Sequence, residues 1–319
     1  MIIVTGGAGM IGSNLIMKLN TLGYDDICVV DNLENGKKFL NLVNLNISDY
    51  LDKDDFLQRL ENFDAKKILG IFHLGACSKT TEWNGKYMME NNFEYSKKIF
   101  LWCQRKNIPF IYSSSAAVYG NGENGFKVNE NNLFPLNIYG YSKLLFDKFV
   151  MQFNGKFQSQ VVGLRYFNVY GPNENHKNAM ASVAFHLNNQ MLKNKVLKLF
   201  EGTLGYENGE QLRDFVYVKD CASVNAWFLE NRKFSGIFNV GTGVAQTFNE
   251  IAKSIIKWYG YGKIEYIKFP EELKNSYQNY TKADISELTN IGYNTPFTNI
   301  QDGINDYLNI LNKNIANTL

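Results

Sequence analysis

The stretch Ile2-Ile3-Val4-Thr5-Gly6-Gly7-Ala8-Gly9-Met10-Ile11-Gly12 decides the fold of this chain of 319 residues. Its first residues predict a short buried strand, and the apolar pattern that follows predicts a helix from about Ile11 to Leu22. Gly6, Gly9 and Gly12 let the backbone turn sharply and approach a pyrophosphate closely, while the helix N-terminus supplies N–H donors. Because the glycines lie between a strand and a helix, they predict a dinucleotide site.

A second predicted strand, Ile27–Val30, ends in Asp31 and Asn32. An acidic residue about 20 positions after the glycines usually binds the adenosine ribose hydroxyls and favours NAD. However, Lys38 and Lys53 follow, and a lysine near that ribose could hold a 2′-phosphate instead. From these residues alone NAD and NADP both remain open, and the lysines could equally belong to solvated loops.

A third predicted strand, Ile68–Leu74, runs into the small residues Gly75, Ala76, Cys77 and Ser78. Side chains of this size would let a cofactor or substrate lie against the backbone. The next helical stretch, about 87–106, carries Asn91. This residue could bond the backbone near the site, or it could be an ordinary polar residue of a helix.

Tyr139 and Lys143 open another helical pattern and, being four residues apart, lie on one face of the predicted helix. A nearby cation favours the phenolate and lowers the pKa of a tyrosine, as a general base near neutral pH requires. Ser115 follows a predicted strand, Pro109–Tyr112, at the sheet edge where ligands bind, and its hydroxyl can bond a substrate alcohol or carbonyl. The combination of Ser115, Tyr139 and Lys143 with a glycine-rich first turn is a much more specific signal of function than any of these features alone.

This combination resembles the extended short-chain dehydrogenase/reductase superfamily, as does the segment Arg165-Tyr166-Phe167-Asn168-Val169-Tyr170-Gly171-Pro172. The resemblance implies that Tyr139 is the acid/base, that Lys143 also binds the nicotinamide ribose, and that Ser115 orients the substrate oxygen. Members of the extended group act on nucleotide sugars.

Four further stretches narrow the resemblance, namely 80–89, 176–187, Leu199–Gly202 and Arg213–Val218. They are similar, nearly end to end, to the ADP-L-glycero-D-manno-heptose 6-epimerase family. This implies an isomerase that inverts C6 of the heptose in ADP-D-glycero-D-manno-heptose by transient oxidation and reduction. The resemblance also implies tightly bound NADP and a role in making the precursor of the lipopolysaccharide inner core.

Inverting an alcohol carbon in this way needs hydride removed from one face and returned to the other. A second acid/base group is then useful, and the resemblance assigns it to Lys177. Lys177 follows the 168–172 stretch closely and could reach the same cleft. The alternative is an exposed loop lysine.

The resemblance also implies contacts residue by residue. On the cofactor side these are Met10, Ile11, Asp31, Asn32, Lys38, Lys53, Leu74, Gly75, Ala76, Cys77, Ser78, Asn91, Lys143, Val169 and Lys177. On the substrate side they are Asn168, Ala179, His186, Phe200, Glu201, Gly202, Thr203, Arg213 and Tyr277.

Some of these substrate contacts have ordinary alternatives. The planar fork of Arg213 suits a diphosphate, but an ion pair with Asp214 or Glu210 is the structural alternative. The glycine- and glutamate-rich loop 204–212 is longer than the family pattern and could shift Arg213. Ala179 stands where a small polar residue is common, and His186 could be a core histidine.

Two rival functions remain. One is another nucleotide-sugar epimerase or a dehydratase of the same superfamily. A dehydratase would place an Asp-Glu pair beside the catalytic serine, whereas this chain has Ser115-Ala116-Ala117. The other is a non-catalytic dinucleotide sensor, against which the intact Ser115, Tyr139 and Lys143 argue.

The composition argues against a nucleic-acid-binding, membrane-associated, disulfide-rich or metal-binding protein. The net charge is +2, from 33 basic and 31 acidic residues, and no basic run suggests nucleic acid or an anionic membrane. Four scattered cysteines favour free thiols over disulfides or a metal site. No signal-peptide pattern opens the chain, and no apolar run reaches the roughly 18 residues of a spanning helix. We therefore expect a cytoplasmic protein, and the resemblance implies a homo-oligomer.

Strands and helices alternate along the chain, which predicts an α/β, Rossmann-like, doubly wound parallel sheet with a smaller C-terminal α/β substrate lobe. We expect residues 1–170 to form the NADP-binding domain, with later crossover elements at about 213–245. Residues 171–319 would form mainly the substrate-binding lobe. Within it, Ile264–Phe269 is a candidate strand, and Ile300–Leu311 has the apolar spacing of a helix.

Overall fold

The computed structural model describes residues 1–129, 133–203, 205–270 and 278–316. Its strands are β1 (Ile2–Thr5), β2 (Ile27–Asp31), β3 (Asp49–Asp52), β4 (Gly70–His73), β5 (Phe110–Ser115), β6 (Val161–Tyr166), β7 (Asn168–Tyr170), β8 (Val196–Phe200), β9 (Leu212–Arg213), β10 (Phe215–Tyr217), β11 (Gly236–Val240), β12 (Gln246–Thr247) and β13 (Lys263–Ile267). Its α-helices are α1 (Met10–Thr21), α2 (Lys53–Arg59), α3 (Gly85–Met89), α4 (Tyr95–Lys106), α5 (Ile138–Met151), α6 (Val183–Asn194), α7 (Val218–Glu230), α8 (Phe248–Tyr259), α9 (Ser286–Asn290) and α10 (Ile300–Ala316).

Seven parallel strands form the central sheet, in the spatial order β3-β2-β1-β4-β5-β6-β11. The direction of winding reverses between β1 and β4, and a crevice opens beyond the carboxyl ends of strands at such a point. The predicted Rossmann-like parallel sheet is therefore confirmed. Its last strand, β11, comes from far along the chain and pairs with β6 in register Gly236 to Val162.

Helices cover both faces of the sheet, as a parallel sheet requires. On one face α1 and α7 pack together, and Leu15, Ile16 and Phe228 are fully buried there. On the other face α4 and α5 bury Phe100 and Phe146. These two cores fix the positions of the strand ends that form the crevice.

The C-terminal part builds a third core. Strands β8 and β13 pair in parallel, and α6, α8 and α10 pack around buried residues that include Met191, Ile255 and Ile304. The predicted strand at 264–269 is observed at Lys263–Ile267, and the last helix extends to Ala316 instead of ending at Leu311. Across the described residues, no helix has both the length and the apolar character to cross a bilayer.

The helical stretch predicted at about 87–106 is interrupted. Between α3 and α4, residues Glu90–Glu94 form a π-helical turn. Such a wider turn changes which side chains face a neighbouring element and is frequent at functional sites. Here it turns Asn92 inward, with consequences for the site.

Candidate functional site

The glycine-rich turn after β1 is shaped for a close backbone approach. Gly6 has a φ of +67°, and a Cβ there would lie 2.6 Å from the Gly75 nitrogen, in the turn after β4. A Cβ on Gly12 would lie 2.2 Å from the Gly6 carbonyl oxygen. Only glycine fits at both positions, and the N-terminus of α1 consequently points its N–H groups into the crevice.

Asp31 and Lys38 form a charged corner beside this turn. One Asp31 oxygen accepts the Ala8 N–H at 2.9 Å, and the other pairs with Lys38 Nζ at 2.5 Å. Lys38 also donates to the Asn32 carbonyl at 2.6 Å, while Lys53 donates to Asn91 Oδ1 at 3.3 Å. The corner therefore holds both an acceptor for ribose hydroxyls and two cations.

The loop from Leu74 to Ser78 is held by Asn92 and not by its neighbour Asn91. Asn92 is buried, accepts the Cys77 N–H at 2.8 Å and donates to the Cys77 carbonyl at 2.9 Å. It also donates to Ser142 Oγ on α5 at 3.0 Å. Asn91, which is partly exposed, lines the cleft and meets Lys53 instead.

Replacing Asn92 with alanine should lower the free energy of unfolding by about 1–3 kcal/mol, because it leaves the Cys77 N–H and C=O without their partner. We also expect weaker cofactor binding, since Cys77 is part of the cleft wall. Denaturant unfolding of Asn92→Ala beside Asn91→Ala would test this. Equal unfolding free energies in the two variants would contradict the assignment.

Ser115, Tyr139 and Lys143 all line the cleft, from the end of β5 and the start of α5. A hydrogen bond with Ser115 lowers the pKa of Tyr139, but burial raises it more, so the net shift is upward. This differs from the expected lowering by Lys143. The Lys143 ammonium instead donates to the Ser113 carbonyl at 2.8 Å, and burial lowers the pKa of Lys143 to about 8.

A buried ion pair lies one turn beyond Lys143. Asp147 pairs with Arg165 Nε at 2.9 Å and accepts hydrogen bonds from the Tyr112 and Ser114 hydroxyls. The negative charge of Asp147 favours the charged form of Lys143 and raises its pKa against the effect of burial. The pair thus ties α5 to β5 and β6 directly beneath the three cleft residues.

Lys177 reaches the cleft from the loop after β7. Its Nζ lies 3.9 Å from Met10 Sδ, at the N-terminus of α1. Burial lowers the pKa of the Lys177 amine, and Glu174 opposes that shift. An amine whose pKa is lowered can give and take a proton nearer to neutral pH.

Arg213 lines the same cleft from β9 and is only 5% exposed. Its guanidinium lies 5.8 Å from the centre of the Phe248 ring and donates to the Leu212 carbonyl at 2.9 Å. Pairing of β9 with β12 fixes this strand, and the Gly209 N–H bonds the Phe200 carbonyl at 3.0 Å. The described part of the 204–212 loop is therefore tied down next to Arg213.

The cleft encloses about 1100 Å³. Most residues expected in the site line it, and among those not yet placed here are Gly9, Ile11, Ala76, Asn168, Val169, Ala179, His186 and Phe200. Three expected substrate residues, Glu201, Gly202 and Thr203, are not part of this lining. Tyr277 lies outside the described residues.

Two buried carboxylates lie in this region, of which the sequence suggested Asp214 only as a possible ion-pair partner of Arg213 and gave no signal for Glu174. Asp214 is fully buried and accepts hydrogen bonds from Thr242, Gly243 and Ala283. Glu174 is also fully buried. Sequence spacing does not reveal such residues, because Asp214 bonds residues 28 to 69 positions away and Glu174 bonds Tyr307, 133 positions away. Within the described ranges, no group of three His, Cys, Asp or Glu residues could hold a metal ion.

Comparison with known proteins places this cleft among nucleotide-sugar enzymes. The model of the NAD dependent epimerase/dehydratase family matches residues 2–241. An ADP-L-glycero-D-manno-heptose-6-epimerase from Alkalilimnicola ehrlichii is 54% identical over 97% of this chain and 96% of its own length.

Solved structures agree. The ADP-L-glycero-D-manno-heptose-6-epimerase of Helicobacter pylori has a TM-score of 0.82 and 33% identity, covering 98% of this chain and 96% of that one. A Thermus thermophilus UDP-glucose 4-epimerase in complex with NAD has a TM-score of 0.78 and 25% identity, with 97% of each chain covered.

Proposed function

Because the chain belongs to the ADP-L-glycero-D-manno-heptose-6-epimerase family, within the wider NAD dependent epimerase/dehydratase family, we propose how its cleft performs the reaction. The protein is an epimerase that inverts C6 of the heptose in ADP-D-glycero-D-manno-heptose to give the L-glycero epimer. The observation that carries this assignment is 54% identity over 97% of the chain. Its product serves lipopolysaccharide inner-core synthesis.

The chain binds a nicotinamide dinucleotide, and its own residues fit that group. The cradle formed by Gly6 and Gly12 admits no Cβ, which suits a pyrophosphate lying against the backbone. When bound, the nicotinamide accepts a hydride from the sugar carbon and returns it. We assign the cofactor contacts to the residues of the glycine turn, the Asp31 corner, the loop of residues 74–78, Asn91, Lys143, Val169 and Lys177.

The proton steps belong to Tyr139 and Lys177. Tyr139 takes the proton from the C6 hydroxyl of one epimer, and Ser115 bonds the same substrate oxygen. Lys143 contributes positive charge near the substrate oxygen, and this charge favours the deprotonated form of the substrate hydroxyl. As the hydride returns to the second face of the ketone, Lys177 gives a proton to the carbonyl oxygen, and in the reverse direction it takes that proton from the C6 hydroxyl of the other epimer. Both groups line one cleft but come from different elements, α5 and the loop after β7.

Substrate binding is assigned to the opposite part of the cleft. Arg213 lies on β9 against the Phe248 ring, and its planar guanidinium pairs with the diphosphate of the substrate. We propose that Asn168, Ala179, His186 and Phe200 contact the sugar nucleotide. Glu201, Gly202, Thr203 and Tyr277 remain proposed substrate contacts.

The direct test is proton NMR of ADP-D-glycero-D-manno-heptose incubated with purified protein and no added reductant. We expect the L-glycero epimer to grow to a stable mixture without net formation of NADPH. Conversion of a UDP-hexose with no change in the ADP-heptose would assign the protein to another nucleotide-sugar epimerase. No turnover of any nucleotide sugar by folded, cofactor-loaded protein would favour a sensor.

NADP is the proposed form of the cofactor, held through its 2′-phosphate by Lys38 and Lys53. Replacing both lysines with alanine should weaken NADP binding by about 10- to 100-fold, because each charge-assisted hydrogen bond is worth about 1.5–3 kcal/mol and losses overlap. NAD should bind no worse, since loss of Lys38 frees Asp31 for the ribose hydroxyls.

Calorimetric titration of both dinucleotides would measure this shift. Lys37→Ala is the matched control, because Lys37 is the exposed neighbour of Lys38. Unchanged NADP affinity in the double variant would show that the 2′-phosphate is held elsewhere.

The remaining expectations are part of the proposal. Residues 1–170 with about 213–245 form the NADP-binding domain, and 171–319 mainly the substrate lobe. The protein works in the cytoplasm as a homo-oligomer without nucleic-acid or membrane partners. Sedimentation of the purified protein at several concentrations would test the assembly.

A further inference from the structure

A charged side chain lies fully buried three residues before Lys177. The Glu174 carboxylate is 0% exposed and accepts four hydrogen bonds. Its donors are Ser182 N at 2.5 Å, Ser182 Oγ at 2.7 Å, the Tyr307 hydroxyl at 2.9 Å and Gly171 N at 3.4 Å. Burying a carboxylate is unfavourable unless such bonds compensate for the lost hydration. The four donors therefore fix the Glu174 side chain in this position.

These bonds join both ends of the loop that carries Lys177. Gly171 directly follows β7, and Ser182 is the N-cap of α6, so one carboxylate connects the two ends of the loop between them. Tyr307 belongs to α10 and connects the loop to the C-terminal core. Inside the loop the Lys177 N–H bonds the Glu174 carbonyl at 2.9 Å, and Asn178 has a φ of +49°.

We propose that Glu174 is a positioning residue for Lys177, holding the loop of residues 172–181 through Ser182 and Tyr307 so that the Lys177 amine stays beside Met10. This inference rests on the proposed role of Lys177 as the second acid/base. A loop without that closure would let the amine move relative to the cleft. Displacement of a catalytic group by about 1 Å can cost about 100-fold in rate.

The negative charge of Glu174 also acts on the Lys177 amine, which supports the proposal independently. Glu174 raises the pKa of Lys177 while burial lowers it, and the burial effect is larger. His176 on the same loop also interacts with the amine, and Lys38 and Asp31 interact with His176. Tyr139 and Lys143 face the cleft from α5. Removing the Glu174 charge should therefore lower the pKa of Lys177 further.

Two variants separate position from charge. Glu174→Gln keeps the size of the side chain but removes its charge, whereas Tyr307→Phe keeps the charge and removes one tether. The matched control is Tyr217→Phe, because Tyr217 donates to Asp306 on the same helix α10 at 2.7 Å. Tyr217 does not line the cleft.

Two measurements on the full-length protein as isolated decide the proposal. The first is kcat for epimerisation. The second is the pKa of the Lys177 amine, from trace acetylation with acetic anhydride at a series of pH values followed by peptide mass spectrometry. Retained cofactor and the unfolding transition check that each variant is folded.

We expect Glu174→Gln to lower kcat by about 10- to 100-fold and to lower the pKa of Lys177. Tyr307→Phe should reduce kcat less and leave that pKa unchanged, and Tyr217→Phe should change neither quantity. If both test variants match Tyr217→Phe, the proposal is wrong. If Glu174→Gln does not fold, Tyr307→Phe decides by the same comparison of kcat.

Failure of the underlying function would look different. A fully active Lys177→Met protein would remove Lys177 from the mechanism, whatever the Glu174 variants do. An inactive Lys177→Met protein combined with unaffected Glu174→Gln and Tyr307→Phe would leave the function standing and remove only the positioning role.

Discussion

Tyr139→Phe is expected to lower the rate of epimerisation by about 10²- to 10⁴-fold, the usual contribution of a general acid/base. The substitution removes only the hydroxyl, which bonds Ser115, and leaves the ring in its place at the start of α5. The effect should therefore fall on kcat, with little change in cofactor binding. Proton NMR of the ADP-heptose, at equal enzyme concentrations, measures it.

Tyr141→Phe is the matched control for this experiment. Tyr141 lies on the same helix but is 46% exposed to solvent, so its hydroxyl should not matter for turnover. Rates for Tyr139→Phe within a few-fold of those for Tyr141→Phe would remove Tyr139 from the proton steps.

We expect the pH dependence of the rate to follow Lys143, because we propose that its positive charge favours loss of the proton from the substrate oxygen. Burial lowers the pKa of Lys143 from 10.5 to about 8, so the rate should fall as the pH rises through about 8. The sign for stability is opposite. Below that pH the buried charge opposes folding, and this cost disappears as the pH rises from about 8 towards 10.5. Across this pH range the rate of epimerisation should therefore fall while the free energy of unfolding rises.

Lys177→Met should also lose about 10²- to 10⁴-fold in epimerisation, because the second proton transfer loses its group. Methionine is unbranched and of similar length to lysine but lacks the amine that lies beside Met10 Sδ, so the loop should remain folded. Cofactor should still bind, although Lys177 is among its proposed contacts. The rate is measured from both epimers, and the cofactor content from the absorbance of the released dinucleotide.

Lys193→Met provides the comparison, since Lys193 is exposed near the end of α6 and does not line the cleft. Its rate should equal that of the unmodified protein. A fully active Lys177→Met protein would contradict the mechanism with two acid/base groups and leave Tyr139 to serve both epimers.

Much of the fold and of the site could be predicted from the sequence, because the signals are local. Gly6 and Gly12 must lack a side chain at a turn between a strand and a helix, and the apolar pattern on either side identifies both elements. Tyr139 and Lys143 share a helix face because they are four residues apart. The position of Ser115 follows from the end of a parallel strand.

Other features depend on residues that no local rule connects. The sequence left open whether Asn91 bonds the backbone near the site, and after a π-helical turn it is Asn92 that bonds the Cys77 backbone. The prediction that the pKa of Tyr139 is lowered was also wrong, because burial raises this pKa by more than the hydrogen bond with Ser115 lowers it. Burial is a property of the assembled core, and spacing along the chain does not contain it.

The sequence by itself determined the alternation of strands and helices, the glycine turn and the shared helix face of Tyr139 and Lys143, since each of these depends on a local pattern. Only the tertiary structure decided how these residues are held. Glu174 meets Tyr307 at a separation of 133 residues, and Asp147 meets Arg165 across two elements beneath Lys143. Such pairs form because a buried charge must find its partners within the folded core, wherever in the chain those partners lie.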